Sequence, residues 1–221
     1  MIESTQVLET LGAQIEPSHT ALLVVDMQND FVHPEGWVAT QAMPGYLDSA
    51  GVSKAVSCCA RLLEGARSAG VLRVFIRMLG DEAYLSPPVI AQYRRLQGEG
   101  RPGCTLQGTW GAEVHDSLAP NADDPLEQIV DKARYSAFAG TRLDQLLRSH
   151  GIKTVVMCGV ATSGCVESTS RDAFCADYYV VTASDACADY DPERHEYSLR
   201  KIDLSFGYVV DSDRLLESWD S

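Results

Sequence analysis

The sequence predicts an α/β domain built on a parallel sheet, and three observations carry that expectation. Six short, mostly apolar runs, Ala21 to Val25, Val71 to Ile76, Gln128 to Val130, Thr154 to Cys158, Tyr178 to Thr182 and Tyr208 to Val210, lack the alternation of half-exposed strands. Continuous runs of this length suit strands covered on both faces. Stretches with apolar residues at helical spacing separate them, which is the strand and helix alternation of a parallel sheet with right-handed crossovers. Finally, the 221 residues are enough for one well-buried core. A single domain over 1–221 is expected, with 1–19 as an N-terminal extension.

Each element follows from its own residues. Ala21 to Val25 is ALLVV, closed by Asp26, and a loop with two large aromatics follows at Phe31, His33, Pro34, Gly36 and Trp37. Val52 to Ala69 places Val56, Ala60, Leu63 and Ala66 at helical spacing, with Gly70 as its stop, and forms the first crossover helix. After Val71 to Ile76, residues 80–111 make a long segment containing Pro87, Pro88 and Pro102, with Tyr84, Tyr93 and Trp110 available to shape substrate access or an oligomer contact. Loops of that length are unusual without a function, and Val89 to Leu96 can form a short helix within it. Gln128 to Val130 leads into Asp131-Lys132, and Leu143, Leu146 and Leu147 mark a helix ending near Gly151. Thr154 to Cys158 runs into a small, polar turn that delivers Cys165. Val166, Thr169, Ala173 and Phe174 then continue as a helix, with Glu167 in its first turn where the dipole favours an acid. A helix at Glu193 to Leu204 and a short terminal helix complete the chain.

Composition excludes some partners. Lys plus Arg total 18 against 31 Asp plus Glu, a formal charge of −13, which argues against nucleic acid and anionic membrane. No stretch approaches the roughly 20 apolar residues of a membrane span, and the first residues lack the basic-then-apolar pattern of a secretory signal. Seven cysteines, Cys58, Cys59, Cys104, Cys158, Cys165, Cys175 and Cys187, form an odd set without C-x-x-C spacing, so reduced thiols in a cytoplasm are expected.

The chemistry lies at strand ends. In open parallel sheets the ligand crevice forms at the carboxyl ends of the strands. Asp26, Lys132 and Cys165 each stand just beyond such an end. Taken singly, each has a plainer reading: a turn residue, a solvated lysine and a buried cysteine. Together they make a nucleophile and its helpers. Cys165 opens a helix, where backbone N–H groups and the dipole favour thiolate and can hold an oxyanion. Its proton needs an acceptor, usually histidine, yet none of His19, His33, His115, His150 or His195 stands at an equivalent strand end, His33 being the nearest. Lys132 can stabilise the sulfur's charge, and Asp26 can accept and return the proton, the three titrating as one unit. Were the third strand two places from the first, the gap would be roughly 10 Å, so the loop after Val130 is expected to lean toward the centre.

Three motifs, LLVVDMQNDF at Leu22 to Phe31, KARYSAF at Lys132 to Phe138 and GVATSGCV at Gly159 to Val166, resemble those of the isochorismatase-like cysteine hydrolases. The match runs from about Thr20 to Val210 in the family's order. The resemblance implies a six-stranded parallel sheet between two helical layers, strand order 3-2-1-4-5-6. It implies Asp26 as general base, Lys132 as thiolate stabiliser and Cys165 as nucleophile. It also implies a cis peptide between Val160 and Ala161 that turns the N–H groups of Ala161 and Cys165 toward an oxyanion. The TSGC turn is similar to that of N-carbamoylsarcosine and maleamate amidohydrolases, and RYSAF with CVESTSRDAF to ureidoacrylate amidohydrolase, so hydrolysis of a small amide or ureido C–N bond is expected. Nicotinamidases of this family hold a metal through an Asp and histidines after the first two strands. Here the second strand runs into Arg77-Met78-Leu79-Gly80-Asp81, so neither metal nor other cofactor is expected. Alternatives are a vinyl ether hydrolase that uses Asp26 without a covalent intermediate, and a non-catalytic binding protein on the same fold. Phe31, Trp37, Tyr135 and Phe138 are expected to wall the pocket; Arg77 and Arg134 are available to a substrate carboxylate, the plainer reading of each being a surface or ion-paired arginine. The resemblance further suggests a homodimer or homotetramer.

Overall fold

The structure, a computed structural model, describes residues 7–42, 51–98, 100 and 102–220. Six parallel strands form one sheet: β1 (Thr20–Val25), β2 (Leu72–Met78), β3 (Glu127–Lys132), β4 (Thr154–Val160), β5 (Tyr179–Ala188) and β6 (Gly207–Val210). Their order is β3-β2-β1-β4-β5-β6, with β1 and β4 at the centre. Every residue of β1 and β4 is buried, which is why their sequences are apolar after an opening threonine. Leu22 and Val24 face one core, shared with Cys59, Leu62 and Leu63 of the helix Val52–Ser68 and with Leu215 and Trp219 of the C-terminal helix Ser212–Trp219. Ala21, Leu23 and Val25 face the other, against Leu143 and Leu147 of the helix Leu143–Ser149 and Val166 and Ala173 of the following crossover. The two periodicities of strand and helix thus give three layers.

Several elements run longer than their apolar signatures. β3 extends through the polar residues Asp131 and Lys132, paired with Arg77 and Met78 of β2, so Lys132 lies in the strand itself. β5 continues to Ala188, past Thr182, beyond a register shift opposite Met157 and Gly159 of β4. Bulges of this kind re-aim residues near active sites. Within the 80–111 segment an 11-residue helix, Pro87–Gln97, starts with proline in its first turn and stops at Gly98, whose φ is 78°. It is longer than the Val89 to Leu96 pattern because proline suits a first helical turn.

Of the N-terminal extension, residues 1–6 lie outside the described residues. The rest is fastened: Ile15 is fully buried, and its carbonyl accepts the Trp219 indole N–H at 3.0 Å. All seven cysteines are free thiols. Among the described residues no helix is long and apolar enough to cross a membrane.

Candidate active site

The end of β1 is shaped by its own polar sequence. Asp26 adopts a left-handed φ of 53°, a region that aspartate enters more readily than most side chains. Gln28, fully buried, donates to the carbonyls of Met78 and Ala112 at 2.9 and 2.8 Å and accepts the Met78 N–H at 2.8 Å. Its side chain therefore fastens the end of β1 to that of β2. Asn29 donates to the Trp110 carbonyl, and the Asp30 carboxylate accepts the N–H groups of Trp37 and Thr105 at 3.1 and 2.6 Å. The DMQND stretch thus ties together the segments around the site, a role that strand-end reasoning about Asp26 alone does not reach.

Beside it, Gly159 at the end of β4 has φ 122°, and a Cβ there would stand 2.0 Å from the Val25 carbonyl oxygen. Only glycine permits this approach. The Val160-Ala161 peptide that follows is cis. Residues Thr162–Val166 then form a π-helical turn before the helix Glu167–Cys175, which places Cys165 within the turn, just ahead of the helix proper. Gly164 and Val166 donate to the Ala161 carbonyl at 3.0 and 3.2 Å. The Ser163 N–H donates to the Asp189 carboxylate at 2.5 Å, and the Thr162 hydroxyl meets His195 Nδ1 at 2.8 Å.

Lys132, Asp26 and Cys165 meet. Lys132 Nζ donates to Asp26 Oδ2 at 2.8 Å and lies 3.2 Å from Cys165 Sγ. All three are nearly sealed, with 3%, 1% and 7% of their surface exposed. The reach across β2 is made by the lysine side chain from within β3, and the loop after Val130 does not have to lean inward. Burial would lower the Lys132 pKa, but Asp26 and Cys165 outweigh it and hold it above the usual range, so the ammonium persists. Burial, then the charge of Asp26, push the Cys165 thiol well up against the opposing pull of Lys132. The resting site is therefore a thiol beside an ion pair. Desolvation and the neighbouring carboxylate thus act against the thiolate that a helix start favours. Asp26 Oδ1 is buried and carries no hydrogen bond, which leaves a lone pair free to take a proton.

The expected pocket residues separate. Phe31, Trp37 and Tyr135 line a cavity of about 250 Å³ together with Met78, Tyr93 and Arg134. Phe138 does not line it; its ring tilts against Tyr178 at 5.9 Å and packs on the core under β4, because the loop after Lys132 turns inward there. Arg77 is committed to Asp131 at 2.8 Å and Glu113 at 3.4 Å, whereas Arg134 donates to the Ala133 and Tyr84 carbonyls at 2.6 and 3.1 Å. His33 meets Trp110 edge-on at 5.0 Å and lies tilted against His115 at 5.6 Å, and makes no hydrogen bond to Asp26, Lys132 or Cys165 among the described residues. Among the described residues no group of three or more His, Cys, Asp or Glu is gathered as a metal site would require.

Residues 20–214 match the family model described as the isochorismatase domain. The chain belongs to the isochorismatase family. Among its relatives is the ureidoacrylate amidohydrolase RutB of Acinetobacter baylyi, 34% identical over 96% of this chain and 88% of that protein. A cysteine hydrolase from Pseudomonas syringae pv. phaseolicola superposes with a TM-score of 0.78, at 28% identity over 94% of this chain and 95% of that one. The N-carbamoylsarcosine amidase of Thermoplasma acidophilum gives a TM-score of 0.68, at 31% identity over 88% and 96% of the two chains.

Two further residues brace the turn that carries Cys165 and are omitted by strand-end reasoning, Asp189 and His195. Asp189 follows β5 directly. It obeys the same strand-end rule as Asp26, but a strand ended at Thr182 hides it. The signal was present in Ala183 and the run Ala186 to Ala188, small residues that continue a buried strand through Asp185.

Proposed function

We propose that this chain hydrolyses a small amide or ureido C–N bond through a covalent intermediate on Cys165. It is a hydrolase of non-peptide C–N bonds, as its amidohydrolase relatives are. The observation that carries the covalent reading is Lys132 Nζ, placed between Asp26 Oδ2 and Cys165 Sγ while Asp26 Oδ1 stays open. A cation poised over both groups favours movement of the sulfur's proton to the carboxylate, because the thiolate formed remains paired.

In this mechanism Asp26 takes the Cys165 proton as sulfur attacks the substrate carbonyl carbon. The carbonyl oxygen becomes an oxyanion facing the N–H groups of Ala161 and Cys165, since those of Ser163, Gly164 and Val166 are already engaged. The C–N bond then breaks, and the departing nitrogen takes the proton back from Asp26. Water adds to the thioester with Asp26 again accepting a proton, which returns to sulfur as the acid is released. Arg134, with no carboxylate in ion-pair range among the described residues, is the group suited to a substrate carboxylate.

The test is ammonia release from small amides and ureido acids, compared with the Cys165→Ala variant. A loss of about 10³-fold or more in kcat is expected. Turnover retained by that variant would end the covalent mechanism and favour the ether-type chemistry at Asp26 alone.

A further inference from the structure

We infer that the substrate carries an apolar substituent of about phenyl size, seated between the Phe31 to Ala42 segment and the helix Pro87–Gln97; this rests on the ureido or amide reading above. The cavity there holds about 250 Å³. A cavity of ~150 Å³ accepts benzene, whereas a water claims about 30 Å³ of liquid, so this space suits a ring or branched chain and would otherwise hold several waters.

Its walls are mainly apolar. Phe31 and Trp37 come from one side, Val89 and Tyr93 from the helix, and Met78 from the end of β2. All five are only partly buried, so their apolar surface faces the cavity as well as the core. Polar groups also line it, among them two from the loop after Lys132. Arg134 lies two residues past Lys132, and Gln92 Nε2 donates to the Tyr135 hydroxyl at 2.6 Å. A ligand pocket with a few polar groups and mainly apolar walls selects an amphipathic molecule. Two of its sides also have separate anchors. Asp30 fixes Trp37 and Thr105 on one side, while Ala137 N–H donates to Thr169 at 3.1 Å and holds the loop bearing Arg134 and Tyr135. A short ureido acid would engage Arg134 and leave the walls against water. One with an aromatic arm would bury them.

The experiment compares N-carbamoylphenylalanine with N-carbamoylglycine, which share the ureido group and the carboxylate and differ in the arm. Ammonia release by the wild-type chain measures turnover, and calorimetric titration of the Cys165→Ala variant measures binding. The phenyl compound is expected to exceed the glycine compound by about 10- to 100-fold in kcat/KM and in affinity. Val89→Asp, on the partly exposed helix, should collapse that ratio toward one, and Trp37→Ser should do the same from the opposite wall should the first variant fold poorly. Equal values for the two compounds in wild type would overturn the apolar arm and leave the hydrolase reading standing. Tight, arm-dependent binding without ammonia release from either compound would uphold the arm and overturn the ureido reading. A ratio untouched by both wall substitutions would overturn the assignment of the arm to this cavity.

Discussion

β3 begins and ends in a buried charge, and the two ends differ in one respect. At its first residue, Glu127 meets Arg67 at 2.7 Å and Arg73 at 3.4 Å, and also accepts the Asn121 N–H at 2.5 Å. Arg73 in turn pairs with Asp124 and donates to the Val71 carbonyl at 2.6 Å. Every part of that cluster is occupied. At the last residue, Lys132 holds Asp26 and Cys165, yet Asp26 Oδ1 has no partner and the thiol is pushed up toward its neutral form. The first cluster is saturated and can only hold the sheet together. The second leaves one buried acceptor unfilled in a cluster that also holds a thiol. A buried charge alone thus says little about role; an unfilled valence in a cluster with a thiol says more.

The sharpest way to break this contrast is Asp26→Asn. Turnover should fall by about 10³-fold or more, because no group remains to take the sulfur's proton. Alkylation of Cys165 by iodoacetamide near neutral pH should nevertheless become faster, by about tenfold or more. Burial still raises the thiol, but the carboxylate that adds to that shift is gone and Lys132 remains to favour the thiolate. Slower alkylation in the variant would mean that Asp26 already activates the resting sulfur.

At the other end, Glu127→Gln should cost about 3–5 kcal/mol of stability, measured by denaturant titration, since it leaves two arginines without their shared carboxylate. Turnover per folded molecule should change less than about twofold, as nothing in the site contacts Glu127. The pH dependence has a definite sign. Burial by itself would raise the Glu127 pKa, but Arg67, the Asn121 N–H and Arg73 bring it below the ordinary value. Its contribution is therefore full above the unfolded carboxylate pKa and disappears as pH falls through the lower folded value. The variant's stability should accordingly show a flatter acid limb below about pH 4 than the wild type's.

The contrast also explains what could be read from the sequence. Strand ends near the centre were legible because ALLVV and TVVMC are buried on both faces and carry their polar residue only at the exit. Asp26, Lys132 and Cys165 followed from position. Lys132 was placed after its strand, because Asp131 and Lys132 break the apolar run although they pair in register with β2. Asp189 is marked only by the small residues that prolong β5, and the contacts that Asp189 and His195 make carry no local signal. Their partners, Ser163 N–H and the Thr162 hydroxyl, lie 26 and 33 positions away, and only the bulged length of β5 brings them together. Phe138 shows the limit of residue type: an aromatic in the right loop can face the core as readily as the pocket. Arg67 and Arg73, 54 and more residues from Glu127 in sequence, carried no local signal at all.

Asp189→Ala is the next smaller effect. Removing the acceptor from Ser163 N–H frees the turn that carries Cys165, and displacements of about 1 Å there cost up to ~10²-fold in rate. The loss should fall on kcat with KM little changed, and Asp189→Asn, which retains a carbonyl acceptor, should restore most of it. An equal loss in KM would assign Asp189 to substrate binding instead.

His195 tests the same turn with the smallest expected change. Burial lowers its pKa, against the pull of Glu196 and Asp189, so the ring is neutral at pH 7 and one of its nitrogens can accept from the Thr162 hydroxyl. His195→Ala removes that bond from a residue already held by its own backbone, and a fall in kcat of about tenfold is expected at pH 8. Protonation would turn both ring nitrogens into donors, so the Thr162 hydroxyl could no longer donate to the ring and would have to turn and accept. The difference between wild type and variant should therefore shift as pH falls below about 6, whereas a purely packing role for the imidazole would leave a constant ratio across the profile. His195→Gln, able to accept at a similar reach, should recover most of the lost rate at pH 8 and carry it unchanged to lower pH, because its amide does not titrate.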